Sequence, residues 1–157
     1  MRWRVLVLLA TLSATPCAAQ DLMLKGSDGQ SRTLSAQAFA ALPHVTIHVQ
    51  ERSGPAEFAG VPVSALTALV GAPQGEALRG PAAAMVVVVT AADGYRSALA
   101  LAETDASVRD QQVILADRRD GKPLDAKEGP LRLVVEADKR PLRSARQVTG
   151  LEVRMLP

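Results

Sequence analysis

Residues Met85-Val86-Val87-Val88-Val89-Thr90 hold four consecutive valines without a polar break. β-Branched side chains are stiff at χ1 and fit a pleated surface, so such a run folds as a strand and resists a helix. With no alternation to give it a wet face, the run is expected at the centre of a sheet, covered on both sides. The rest of the chain has to supply its neighbours and its cover.

Those neighbours read mainly as strands. Val45, Ile47 and Val49 alternate with His44, Thr46, His48 and Gln50, so residues 44–50 form a strand with one buried face. Leu22–Lys25 and Gln30–Leu34 flank Gly26-Ser27-Asp28-Gly29, whose Asp-Gly ending suits a hairpin turn. Ala91-Ala92-Asp93-Gly94 turns the valine run into an antiparallel partner over Tyr95–Leu101. Val113–Ala116, Leu131–Val135 and Leu151–Met155 are further strands, with a turn at Asp120-Gly121-Lys122-Pro123. The helices are short. Ser35 caps one that carries Phe39 and Leu42 and stops at Pro43. Pro62 opens a second, in which Val63, Leu66 and Val70 share a face and Gly71 closes the end. Residues 72–84 are rich in Ala, Gly and Pro and read as a connection. The expected fold class is α+β, with mixed or antiparallel β-sheets and a few short helices.

The N-terminus has the grammar of an export signal. A basic start, Met1-Arg2-Trp3-Arg4, precedes the apolar run Val5–Ala14 and the small residues of Thr15–Ala19. The run falls short of the roughly 20 residues that span a bilayer. Residues 1–19 are therefore expected to be a signal peptide, leaving 20–157 as one domain in the periplasm or outside the cell. Removing them also removes Trp3, the single cysteine Cys17, and Arg2 and Arg4, which balances the charge. A chain without cysteine has no disulfide, thiolate ligand, cysteine nucleophile or redox CxxC. Neutral charge, with only Phe39, Phe58 and Tyr95 as aromatics, also argues against a nucleic-acid partner.

The remaining charge is unevenly placed: Arg118–Pro157 holds 10 basic and 6 acidic residues, clustered at Arg118-Arg119 and around Lys139-Arg140, Arg143 and Arg146. Two readings stay open, a solvated surface paired with acidic neighbours and a site for a small anion or an acidic protein partner. Other chemistry finds little support. There is no G-x-S-x-G elbow. On a strand His44 and His48 lie roughly 13 Å apart, too far to chelate one metal. Glu51 and Glu57 could pair as carboxylates, and a polar loop explains them equally well.

Four passages in order resemble a known family. They are Phe58-Ala59-Gly60-Val61-Pro62-Val63-Ser64-Ala65-Leu66, then Val89–Tyr95 with its Asp93-Gly94-Tyr95, then Asp120–Leu124 followed by Gly129–Val134, and finally Arg143–Val153. Together they resemble the oxidoreductase molybdopterin-binding domain, with its sulfite-oxidase-like fold, in a compact form over about residues 45–155. The resemblance implies molybdopterin as a possible cofactor and an electron-transfer or sensor partner. It also implies a cysteine thiolate on molybdenum shortly before the Gly60-Val61-Pro62 passage, where His48–Gly54 contains no cysteine. The leader has Arg2-Trp3-Arg4 rather than the adjacent arginines of cofactor-loaded exported members. The expected function is an anion-binding or accessory module without a molybdenum centre. The alternative is a molybdopterin oxidoreductase using a non-thiolate ligand, with His48 or Glu51 nearby. Arg143, Ser144 and Arg146 match the segment that holds the pterin and its phosphate. His48 is the titratable group nearest the missing thiolate, and the resemblance puts Tyr95 at the pocket mouth.

Overall fold

Local sequence accounts for each element of the computed structural model, which describes residues 20–157; the expected export segment and Cys17 lie outside them. β1 (Leu22–Lys25) and β2 (Ser31–Leu34) form the expected hairpin. Its turn is closed by the Asp28 carboxylate, which accepts from the Gln30 amide at 3.0 Å. The Ser35 hydroxyl accepts from the Ala38 amide at 3.2 Å and starts α1 (Ala36–Ala40), which buries Phe39. β3 (Val45–Glu51) and β4 (Gly54–Pro62) form a second hairpin that runs into α2 (Val63–Ala68). Gly71, at φ 76°, then turns the chain as the helix stop requires. Two short 3-10 turns, Gly75–Ala77 and Gly80–Ala84, occupy the expected connection. β5 (Met85–Ala91), β6 (Arg96–Ala100), β7 (Val113–Arg119), β8 (Lys122–Pro123), β9 (Arg132–Val135) and β10 (Val148–Met155) complete the chain. A 3-10 turn at Leu101–Thr104 follows β6.

The strands make two sheets. The first has the order β2-β1-β10-β5-β6, antiparallel except where β1 runs parallel to β10; the second has β3-β4-β7-β8, with β9 also paired to β7. The main core lies between them. Leu22, Leu24, Val87, Val89, Leu151 and Val153 from the first sheet meet Val61, Val113, Leu115, Leu133 and Val135 from the second, with α2 adding Leu66. A smaller core of Ile47, Phe58, Ile114, Leu124 and Val134 covers the far face of the second sheet. Among the described residues no helix is long and apolar enough to cross a membrane.

The valine run forms an interior strand, yet only one of its faces is fully covered. Met85, Val87, Val89 and Ala91 are buried, while Val86, Val88 and Thr90 are half-buried. The strands covered on both sides are β7, through Val113–Ala116, and β9. The reason is topological: only the second sheet has a core on each face, so only its inner strands are closed off twice.

Two features fix register. At the β4–β7 bulge between Ala59 and Gly60, a Cβ on Gly60 would stand 2.2 Å from the Leu115 carbonyl oxygen and 2.4 Å from the Ala116 Cα. Backbone cannot yield as a flexible side-chain tip does, so Gly60→Ala is expected to cost about 2–3 kcal/mol. Urea unfolding with an unchanged m-value checks this. In the parallel pair, Lys25 lies opposite Glu152 and binds it at 3.0 Å, and Arg154 also contacts Glu152. Hydrogen bonds from Arg154 and then Lys25 lower the Glu152 pKa from 4.5 to about 2. The folded state thus prefers the ionised form, and its stabilisation is complete above about pH 4.5 and is lost as pH falls towards 2. Solvent screening keeps the effect below about 1 kcal/mol. Glu152→Gln should flatten this part of the stability–pH curve in acid titration followed by circular dichroism.

Candidate functional site

An open cleft of about 1530 Å³ lies over the smaller core. The end of the β3–β4 hairpin, with Glu51, Arg52 and Ser53, forms one wall. Asp93 and Tyr95, from the β5–β6 turn, and the loop of residues 138–147 form the opposite lip. β9 contributes Arg132 and Val134 to the floor.

Arg132 is the unusual residue in β9. The strand is otherwise Leu133-Val134-Val135, and Arg132 is 2% exposed. A buried cation needs counter-charges, and a ring of four residues supplies them. Arg132 donates from Nη1 to Glu128 Oε1 at 2.8 Å and from Nη2 to Glu51 Oε1 at 2.7 Å. Arg119 closes the ring through Glu51 Oε2 at 2.8 Å and Glu128 Oε2 at 3.5 Å. Both guanidinium groups lie over the Phe58 ring, Arg132 at 4.9 Å and Arg119 at 5.5 Å from its centroid. Cation–π attraction on a buried ring adds to the pairing. Burial pulls the Arg119 pKa down, but Glu51 and then Glu128 outweigh it and the net direction is up. Arg132 Nε has no partner among the described residues.

The lip is fastened by a second cluster. Arg143 donates to Asp138 at 2.6 and 3.0 Å and to Glu103 at 3.2 Å. Asp138 foremost, against the opposing effect of burial, holds the Arg143 pKa above its ordinary value. Ser97 donates to the Arg143 carbonyl at 3.1 Å, and the Tyr95 hydroxyl donates to the Leu142 carbonyl. Gln147 sits at φ 49°, a left-handed conformation that costs a non-glycine residue energy. Three bonds hold it there: its side chain donates to the Ala126 carbonyl at 2.8 Å, its amide to Glu128, and its carbonyl accepts from Ala92.

Of the residues singled out in the sequence, Tyr95, Ser144 and Arg146 line the cleft, together with Glu51, Arg119, Lys139 and Arg140. Arg143 does not line it; its guanidinium is held by Asp138 and Glu103 behind the lip. His48 is exposed on the edge strand β3 opposite Glu57, also away from the cleft lining. His44 precedes β3, bonded through Nδ1 to the Leu42 carbonyl at 2.7 Å and set edge-on to Phe39. Its Nε2 is 3.4 Å from Asp117 Oδ1, an oxygen with no hydrogen bond. Sequence reading passed over Arg132, Glu128 and the pairing of Glu51. The available signal was an arginine inside an apolar strand, with a glutamate four residues before it.

The family model for the oxidoreductase molybdopterin-binding domain matches residues 14–155. The chain belongs to this family. No match is found among curated proteins. Among solved structures it is similar to the sulfane dehydrogenase SoxCD from Paracoccus pantotrophus, with 18% identity and a TM-score of 0.63 over 86% of this chain. It spans 38% of that chain, and the likeness is one of fold. The stretch that the resemblance sets against the family's metal ligand, His48–Gly54, spans the end of β3 and its turn, and Glu51, Arg52 and Ser53 of it line the cleft. Among the described residues no cysteine or methionine lines the cleft, and both carboxylate oxygens of Glu51 are already held by arginines. Among the described residues no three His, Cys, Asp or Glu side chains converge as a metal site. The donor set therefore does not fit a thiolate-bound metal, while the cations and hydroxyl at the rim suit an anion.

Removing one member of a buried ion pair leaves its partner uncompensated. Glu51→Ala is expected to destabilise the protein by about 3 kcal/mol, measured by urea unfolding. Arg143→Ala, in a more exposed cluster, should cost about 1–2 kcal/mol and raise hydrogen exchange across residues 138–147.

Proposed function

We propose that this protein is a small exported accessory domain that binds an anionic ligand in the family's cleft and works without a thiolate-held molybdenum centre. The closed Arg132–Glu51–Arg119–Glu128 ring carries this reading. It compensates the buried charge of the floor with the protein's own side chains, so the cleft needs no cofactor to be stable. The rim keeps its exposed cations, with Ser144 and Arg146 facing the opening. The expected leader, of the ordinary secretory type, is in keeping with a chain that crosses the membrane without a loaded cofactor.

Family membership favours one alternative, a molybdopterin-dependent oxidoreductase with a non-thiolate ligand and an electron-transfer partner. It requires Glu51 to leave its arginines or the β3 edge to turn His48 into the cleft. Metal and pterin analysis of protein purified from its native compartment separates the two. Molybdenum far below one atom per chain is expected, and stoichiometric molybdenum with pterin overturns the proposal. Inorganic phosphate at millimolar concentration is expected to raise the unfolding temperature of the metal-free protein, and Arg146→Ala to reduce that shift by at least half.

A further inference from the structure

The cations of the cleft divide by what already holds them. Arg119 and Arg132 are committed to the ring, and Arg143 to Asp138 and Glu103. Arg52, Lys127, Lys139 and Arg140 are exposed cleft residues with no ion pair among the described residues. Arg146, 59% exposed, reaches Glu128 only at 3.7 Å. These free charges stand on three separate segments: the β3–β4 turn, the loop before β9, and the long loop between β9 and β10. A lone phosphate is best held by an arginine fork or a nest of backbone amides, in which donors converge. Cations distributed around a cleft of about 1530 Å³ instead match negative charges spaced along a chain.

The lip adds an apolar element. Leu142 is 69% exposed and Tyr95 45%, and the hydroxyl–carbonyl bond between them sets the two side by side. One exposed leucine is ordinary on a protein surface. Two large exposed side chains, on residues joined through a backbone carbonyl at the edge of a basic cleft, offer an apolar anchor point with charge around it.

We infer that the cleft is a docking groove for an acidic segment of a partner protein, one that carries an apolar side chain to pack on Leu142 and Tyr95. The inference rests on the anion-binding reading above and narrows its ligand. Anionic lipid is the competing chemistry, since basic residues beside a leucine also suit a bilayer surface. Concavity decides for the polypeptide, because the free cations stand on facing walls of the cleft, where an extended chain running between them meets both at once.

The test uses the purified metal-free protein and a fluorescein-labelled acidic peptide with a central leucine, followed by anisotropy. Binding is expected with a Kd in the micromolar range at low salt, weakening as salt rises. Lys139→Glu with Arg140→Glu should weaken it at least tenfold. The matched reversal of two exposed arginines outside the cleft, Arg32→Glu with Arg79→Glu, should change it less than twofold. Replacing the peptide's leucine by serine should weaken it at least threefold. Circular dichroism confirms that each variant is folded. The inference is overturned if the peptide does not bind, if both double variants weaken it equally, or if the serine peptide binds as well. It is also overturned if phosphatidylglycerol vesicles bind while the peptide does not. Phosphate stabilisation without peptide binding leaves the anion site standing and removes only this inference, whereas stoichiometric molybdenum in native protein removes the functional reading itself.

Discussion

A cation buried beneath a cleft has to be neutralised, and Arg132 sets that requirement for this protein. Its guanidinium sits on Phe58, inside the smaller core, where an unpaired charge would cost several kcal/mol. The requirement reaches into three distant parts of the chain. Glu51 ends β3, Arg119 ends β7, and Glu128 lies in the loop before β9, so one ring ties the hairpin wall to the cleft floor. A cofactor or substrate entering the cleft therefore meets a surface whose charges are already matched. The remaining electrostatic capacity lies higher up, on the rim.

The lip follows the same logic with different residues. Arg143 is one of the two arginines that the resemblance matches to the pterin-holding segment, and its guanidinium is bonded to Asp138 and Glu103. Those bonds fasten the loop that carries Lys139, Arg140 and Leu142. Positioning charges spend themselves on carboxylates, and the unspent ones face solvent. That division leaves matched charges on the floor of the cleft and unpaired cations on its rim.

Much of the architecture was legible from local pattern. The Asp-Gly turn, the Ser35 cap, the alternation of β3 and the Pro62–Gly71 helix each rest on short-range physics, and each forms where the residues place it. The degree of burial was less legible, because cover comes from tertiary neighbours: the valine run has one dry face, and the shorter Val113–Ala116 has two. The site was the least legible part. Tyr95, Ser144 and Arg146 reach the cleft, but the ring depends on contacts between residues up to 81 positions apart. No local periodicity reports such a distance. Arg132 in an apolar strand was a clue that a counter-charge must exist, without saying where.

The parallel pairing of β1 with β10 has a consequence for how the molecule comes into being. The strand nearest the carboxyl end lies between β1 and β5, so the first sheet stays in two pieces until those final residues arrive. Contacts that span nearly the whole sequence make folding slow, because loop closure has to precede the gain from pairing. The domain is therefore complete only once residues 148–155 are available to pair, whatever the earlier strands have already formed.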